Sequence, residues 1–127
     1  MDQSHRLLLA LLTFLAVLAA CRPKVASIHL VNASATPVEA SVELAGGPDH
    51  VTHFGISPKE RYFFLKYDQR DESPADLTRL VKAVSFAAPT CQVVKRGDEI
   101  LELASRDPEH AGWVITFRAE TCVGQSK

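Results

Sequence analysis

A strict alternation of apolar and polar residues runs through Val38-Glu39-Ala40-Ser41-Val42-Glu43-Leu44. Because successive side chains of a β-strand point to opposite faces, this pattern predicts a strand with one face buried in a core. The buried face would consist of Val38, Ala40, Val42 and Leu44. The segment therefore indicates a fold built around a half-buried sheet.

Similar patterns lie on both sides of this segment. Upstream, Ala26, Ile28 and Leu30 form a comparable apolar face, and turn-forming residues 32–37 separate them from Val38. The two segments are either a hairpin or strands of facing sheets. Further strand candidates cover residues 51–56, 61–67, 81–86 and 113–119.

The middle of the chain contains the clearest helix signal. Ser73-Pro74-Ala75-Asp76 supplies a capping hydroxyl, a proline at the first helical position and an acid in the first turn. We expect a short helix at about 74–81. Residues 97–103 fit either a short helix or a strand.

These elements predict one domain over residues 25–127. Several short strands with frequent turn signals are typical of a mainly β fold, an antiparallel β-sandwich of immunoglobulin-like or transthyretin-like type. One or two short helices complete it.

Charge excludes one class of partner. The 127 residues contain 14 Lys and Arg against 15 Asp and Glu, for a formal net charge of −1. The two signs are interspersed, so no basic face is available to neutralise phosphates. Nucleic acid is therefore not an expected partner.

The first twenty residues form a separate segment. Leu7 to Ala20 is apolar except for Thr13, shorter than the ~20 residues of a membrane-spanning helix but within the ~7–15 residues of a signal sequence. It ends in Leu18-Ala19-Ala20-Cys21, which resembles the lipobox of bacterial lipoproteins. The alternatives are an ordinary secretory signal cut after Ala19 or Ala20, and a buried core helix.

The resemblance implies a lipid anchor. Residues 1–20 would be a signal peptide. Cys21 would carry a diacylglyceryl group on its thiol and a fatty acyl group, such as palmitate, on its amine. Residues 21–24 would form a short tether. The membrane would be a partner through Cys21. Arg22 in place of Asp favours, by analogy with enteric bacteria, an outer-membrane position facing the periplasm.

With Cys21 assigned to lipid, Cys91 and Cys122 are the two remaining cysteines. We expect an intramolecular disulfide between them, because disulfides persist in the oxidising periplasm. A pair of buried or reactive thiols is the alternative.

Few residues suggest site chemistry. His50 and His53 are weak candidates for metal ligands, because on an extended strand they would face opposite sides of the sheet. Surface histidines beside a turn are the simpler interpretation. We find no Gly-x-Ser-x-Gly motif, and we expect no catalytic residue, metal or cofactor. Asn32-Ala33-Ser34 and Arg96-Gly97-Asp98 are interpreted as turns.

The aromatic residues have two interpretations. Burial in the core is the more usual one for so apolar a strand, and a candidate binding surface formed by Tyr62, Tyr67 and Trp113 is the other. The leading functional hypothesis is a non-enzymatic, lipid-anchored periplasmic domain that binds a protein of the cell envelope. The alternatives are a lipid-anchored inhibitor of a hydrolase such as lysozyme, and a metal-binding or enzymatic periplasmic domain.

Overall fold

The computed structural model describes residues 24–46, 50–70 and 72–125. The predicted signal peptide, Cys21 and most of the tether lie outside these residues. Within them, no helix combines the length and apolar character that a membrane crossing requires.

The described residues form eight strands, one α-helix and two 3-10 helices. The strands are β1 (Lys24–Asn32), β2 (Val38–Leu44), β3 (Val51–Ile56), β4 (Arg61–Gln69), β5 (Val81–Ala87), β6 (Gln92–Arg96), β7 (Ala104–Arg106) and β8 (Gly112–Phe117). The helix α1 (Pro74–Leu80) precedes β5, and the 3-10 helices cover Gly97–Glu102 and Ala119–Gln125.

The strands form two four-stranded sheets that enclose the core. Sheet A has the order β4-β1-β8-β7, and sheet B has the order β3-β2-β5-β6. The predicted β-sandwich is thus confirmed, and β1 and β2 belong to facing sheets. All pairs in the two sheets are antiparallel except one, because β1 and β8 run parallel in the centre of sheet A.

The core follows from the period-two patterns. Residues that alternate along each strand point between the sheets and lose nearly all solvent contact, which is the main stabilising contribution. The largest fully buried strand residues are Phe86, Phe117, Ile28, Leu30 and Ile115, and Leu77 of α1 and Ile100 of the 3-10 helix Gly97–Glu102 complete the core.

The helix begins and ends close to where the sequence places it, and Ser73 is its N-cap residue as predicted. The Ser73 side chain makes no capping hydrogen bond. Instead the buried Asp76 carboxylate accepts the backbone N–H of Arg70 at 3.1 Å, which ties the helix to the segment after β4. The undecided stretch after β6 is the 3-10 helix Gly97–Glu102.

The turn between the sheets is built on Asn32, which is fully buried. Its side-chain amide donates to the carbonyls of Thr36 at 2.7 Å and Ile56 at 3.1 Å. Its carbonyl oxygen accepts the Ser34 hydroxyl at 2.6 Å. These bonds confirm the turn predicted at Asn32-Ala33-Ser34.

The sandwich has two distinct ends. At the "Lys24 end", β1 and β8 begin and β4 and β7 finish. At the opposite "disulfide end", Cys91 and Cys122 lie at disulfide-bonding distance with their Cα atoms 5.9 Å apart, inside the range that a disulfide spans. Cys91 lies between β5 and β6, and Cys122 lies beyond β8, so the pair links sheet B to the end of the chain.

Candidate functional site

The outer face of sheet A carries a polar cluster. Ala26, Ile28 and Leu30 of β1 are buried in the core, so the residues between them point outward. Outward-facing Ser27 and His29 are covered in part by the loop 107–111, which joins β7 to β8.

Asp107 organises this loop. Its side chain is fully buried. Oδ1 accepts the backbone N–H groups of Glu109 at 2.9 Å and His110 at 3.3 Å, and Oδ2 accepts a bond from the guanidinium of Arg61 on β4. Burial raises the pKa of the Asp107 carboxyl, but these bonds and the Arg61 charge outweigh burial and hold that pKa below 3.8.

His29 lies beside Asp107 on the same face. Its Nδ1 atom is 3.5 Å from Asp107 Oδ2, and only 12% of its side chain is exposed. Burial lowers the pKa of the His29 imidazole below 6.5, and the positive charge of Arg61 lowers it further. The folded protein therefore favours the neutral imidazole at neutral pH.

Two rings flank His29. Phe63 packs edge-on against it, with ring centroids 5.4 Å apart and an interplanar angle of 72°. The centroid of the His110 ring lies 5.8 Å from that of His29. Phe63 is nevertheless 47% exposed. An aromatic side chain that is both exposed and held by its neighbours is typical of a contact surface.

The cluster contains a serine, a histidine and an aspartate, but their geometry does not form a proton relay. Ser27 Oγ lies 3.4 Å from His29 Nδ1, the same nitrogen that faces Asp107. A catalytic triad needs the carboxylate at one ring nitrogen and the hydroxyl at the other. This arrangement therefore cannot activate Ser27 through His29 as a triad does.

No group of three His, Cys, Asp or Glu side chains within residues 24–46, 50–70 and 72–125 has the geometry to hold a metal ion. His53 is exposed on β3 opposite Ser41, and His50 is exposed just before that strand. In the polar cluster, Oδ2 of Asp107 is paired with the Arg61 guanidinium, which competes with a metal ion for that oxygen.

The predicted aromatic surface is only partly a surface. Tyr62 is 39% exposed and stacks on Phe54, with ring centroids 4.2 Å apart. Tyr67 and Trp113 are buried in the core between the sheets. The candidate surface of Tyr62, Tyr67 and Trp113 is therefore not formed, because the inward register of β4 and β8 places Tyr67 and Trp113 in the core, as the other interpretation predicts.

No family model, curated protein or solved structure matches the chain. The geometry is therefore the basis for assigning a function.

We name the "Phe63 patch" as Phe63, His29 and Arg61, which lie together on the outer face of sheet A. Sequence reasoning singled out none of these three residues, nor Asp107, as site residues, and Tyr62, which it did single out, stacks on Phe54 of the other sheet. The available signal was the polar pair Ser27 and His29 at the outward positions of an otherwise apolar strand. The sequence contains no comparable signal for Asp107, which precedes Pro108 and resembles an ordinary turn residue.

Proposed function

We propose that the chain is a lipid-anchored binding domain of the bacterial cell envelope, attached through Cys21 and positioned at the periplasmic face of the outer membrane. It acts without catalysis, and its partner is an envelope protein that contacts the Phe63 patch. The lipobox residues 18–21 support the anchor, and the Cys91–Cys122 pair suits an oxidising compartment.

The observation that carries the binding role is Phe63 itself. Its ring is 47% exposed yet packs edge-on against His29, which in turn lies beside the buried Asp107 and its Arg61 partner. Aromatic and arginine side chains held in place beforehand are those that contribute most to protein–protein affinity.

The small contribution of the Asp107–Arg61 pair to stability also supports a role in recognition. Burying a carboxylate and pairing it with an arginine contributes little net stability compared with apolar packing. Its effect here is to fix the loop 107–111 and the orientation of His29 and Arg61. A fixed constellation beside an exposed aromatic ring benefits recognition more than folding.

The anchor is tested first, by expressing the full chain and its Cys21→Ser variant in a Gram-negative host. We expect lipid on the wild-type protein by mass spectrometry, and an unlipidated variant released from the membrane fraction. A wild-type chain without lipid would contradict the anchor.

The binding role is tested by site-specific photo-crosslinking in the same cells. A photoreactive phenylalanine analogue replaces Phe63, and the control places it at Val94, which is 43% exposed on the other sheet. We expect one discrete adduct with an envelope protein from position 63, and its loss when Arg61→Ala is added. Identical adducts from both positions, or none from position 63, would exclude the Phe63 patch as the binding surface.

A further inference from the structure

The Lys24 end of sheet A carries a second, smaller surface feature. Val25 is 60% exposed, although it is the second residue of β1. It borders an open cavity of about 220 Å³, whose wall also includes Lys66, His110 and Ala111. The apolar side chain therefore lies in solvent at the rim of a concave surface.

The distance from Cys21 restricts what can cover this feature. Only Arg22 and Pro23 separate Cys21 from Lys24, and three peptide units span at most about 11 Å. A lipid on Cys21 therefore keeps the start of β1 within about 11 Å of the headgroup layer. Val25 is one residue farther along the chain.

We propose that Val25 and the cavity beside it contact the bilayer that holds the Cys21 lipid. This inference rests on the proposed function, since it needs the anchor, and it adds the orientation of the domain. The occupant is the headgroup and upper acyl region of the membrane, where an exposed valine becomes buried. Lys66 buries its methylene stem and keeps its ammonium at phosphate level.

The charges at this end indicate an apolar contact. Val25 pairs in register with Asp68, and Lys66 lies two residues away on β4, so this edge carries one charge of each sign. The Lys24 ammonium is bound to Glu72 at 3.2 Å. The contact therefore depends on apolar burial, and it does not require anionic lipid.

The same orientation leaves the Phe63 patch free. Phe63 pairs in register with His29, four residues beyond Val25 along β1. At about 3.3 Å per residue, Phe63 lies roughly 13 Å farther from the start of β1 than Val25 does. A protein partner can then approach Phe63 while Val25 rests on the membrane.

The test uses the lipidated full chain in phosphatidylcholine vesicles, with and without phosphatidylglycerol. Single variants Val25→Trp, Val94→Trp and Phe63→Trp are compared in vesicles with and without bromine near the lipid headgroups. Val94 is a matched control, because it is also an exposed strand valine. Wild type corrects for Trp113, which is buried.

We expect brominated lipid to reduce the added emission of Val25→Trp by about twofold in both vesicle types, as for a residue buried at the interface. Val94→Trp and Phe63→Trp should be unaffected. Equal quenching of Val25→Trp and Val94→Trp in a lipidated protein would overturn this inference and leave the proposed function intact. Strong quenching of Phe63→Trp would overturn the orientation, and absence of lipid would overturn both proposals.

Discussion

Gly112 is the residue at which the loop 107–111 enters the centre of sheet A. Its φ of +125° is unfavourable for residues with a side chain, and a Cβ atom there would collide with the backbone of Ser27. We expect Gly112→Ala to lower the free energy of unfolding by about 3 kcal/mol or more, from backbone strain and overpacking together. Urea denaturation measures this change.

Gly97→Ala is the matched control. Gly97 also has a positive φ, of +56°, but a Cβ atom there would have no neighbour within 4 Å. Strain alone should cost about 1 kcal/mol. If the two variants lose equal stability, the close approach of Gly112 to Ser27 is not what the fold depends on.

At the residue scale, sequence reasoning succeeded where chemistry is local. The inward faces of β2 and β8 follow from period-two alternation, and the Asn32 turn follows from side-chain amide chemistry. The Asp107–Arg61 contact joins a loop to a strand 46 residues away in sequence. No local pattern encodes such a contact, so the candidate site had to come from the structure.

At the scale of elements, the Cys91–Cys122 pair joins the turn after β5 to the 3-10 helix after β8. The two cysteines are 31 residues apart in sequence. Closing a loop of that length in the unfolded chain stabilises the fold by roughly 3–4 kcal/mol. We expect the double variant Cys91→Ser, Cys122→Ser to unfold at correspondingly lower urea concentration.

A reducing agent provides the control for this prediction. It should lower the urea midpoint of the wild-type protein toward that of the double variant, and it should not change the variant. A wild-type midpoint that is insensitive to full reduction would contradict the predicted contribution of the disulfide.

The type of each element was easier to predict from the sequence than the neighbour of each strand in its sheet. Proline at the first helical position located α1, and alternating patterns located most strands. Periodicity tells which face of a strand is buried, but not which strand lies beside it. The parallel pairing of β1 with β8, and the order of both sheets, therefore could not be derived from the pattern.

At the scale of the whole molecule, stability should depend on pH through two groups of the polar cluster. The pKa of His29 is lowered from 6.5 in the folded state, so below pH 6.5 the unfolded chain takes up a proton before the folded one does. The free energy of unfolding should therefore fall as pH decreases from 6.5 to the folded pKa of His29. Below pH 3.8, protonation of Asp107 should reduce it again.

Urea midpoints between about pH 7.5 and about pH 5 test the upper window. The variant His29→Gln, which cannot take up a proton, should lose the pH dependence contributed by this residue and keep the loss of stability below pH 3.8. An unchanged pH profile in His29→Gln would show that His29 does not control acid sensitivity.

The parallel contact between β1 and β8 has a consequence for the timing of folding. The ribosome releases β1 early, but its neighbour in the middle of sheet A is β8, the last of the strands within residues 24–46, 50–70 and 72–125. Pairing between such distant segments is slow, because a long loop must close before any contact rewards it. The centre of sheet A therefore cannot close until β8 has been synthesised, and before then β1 has only β4 as a neighbour in that sheet.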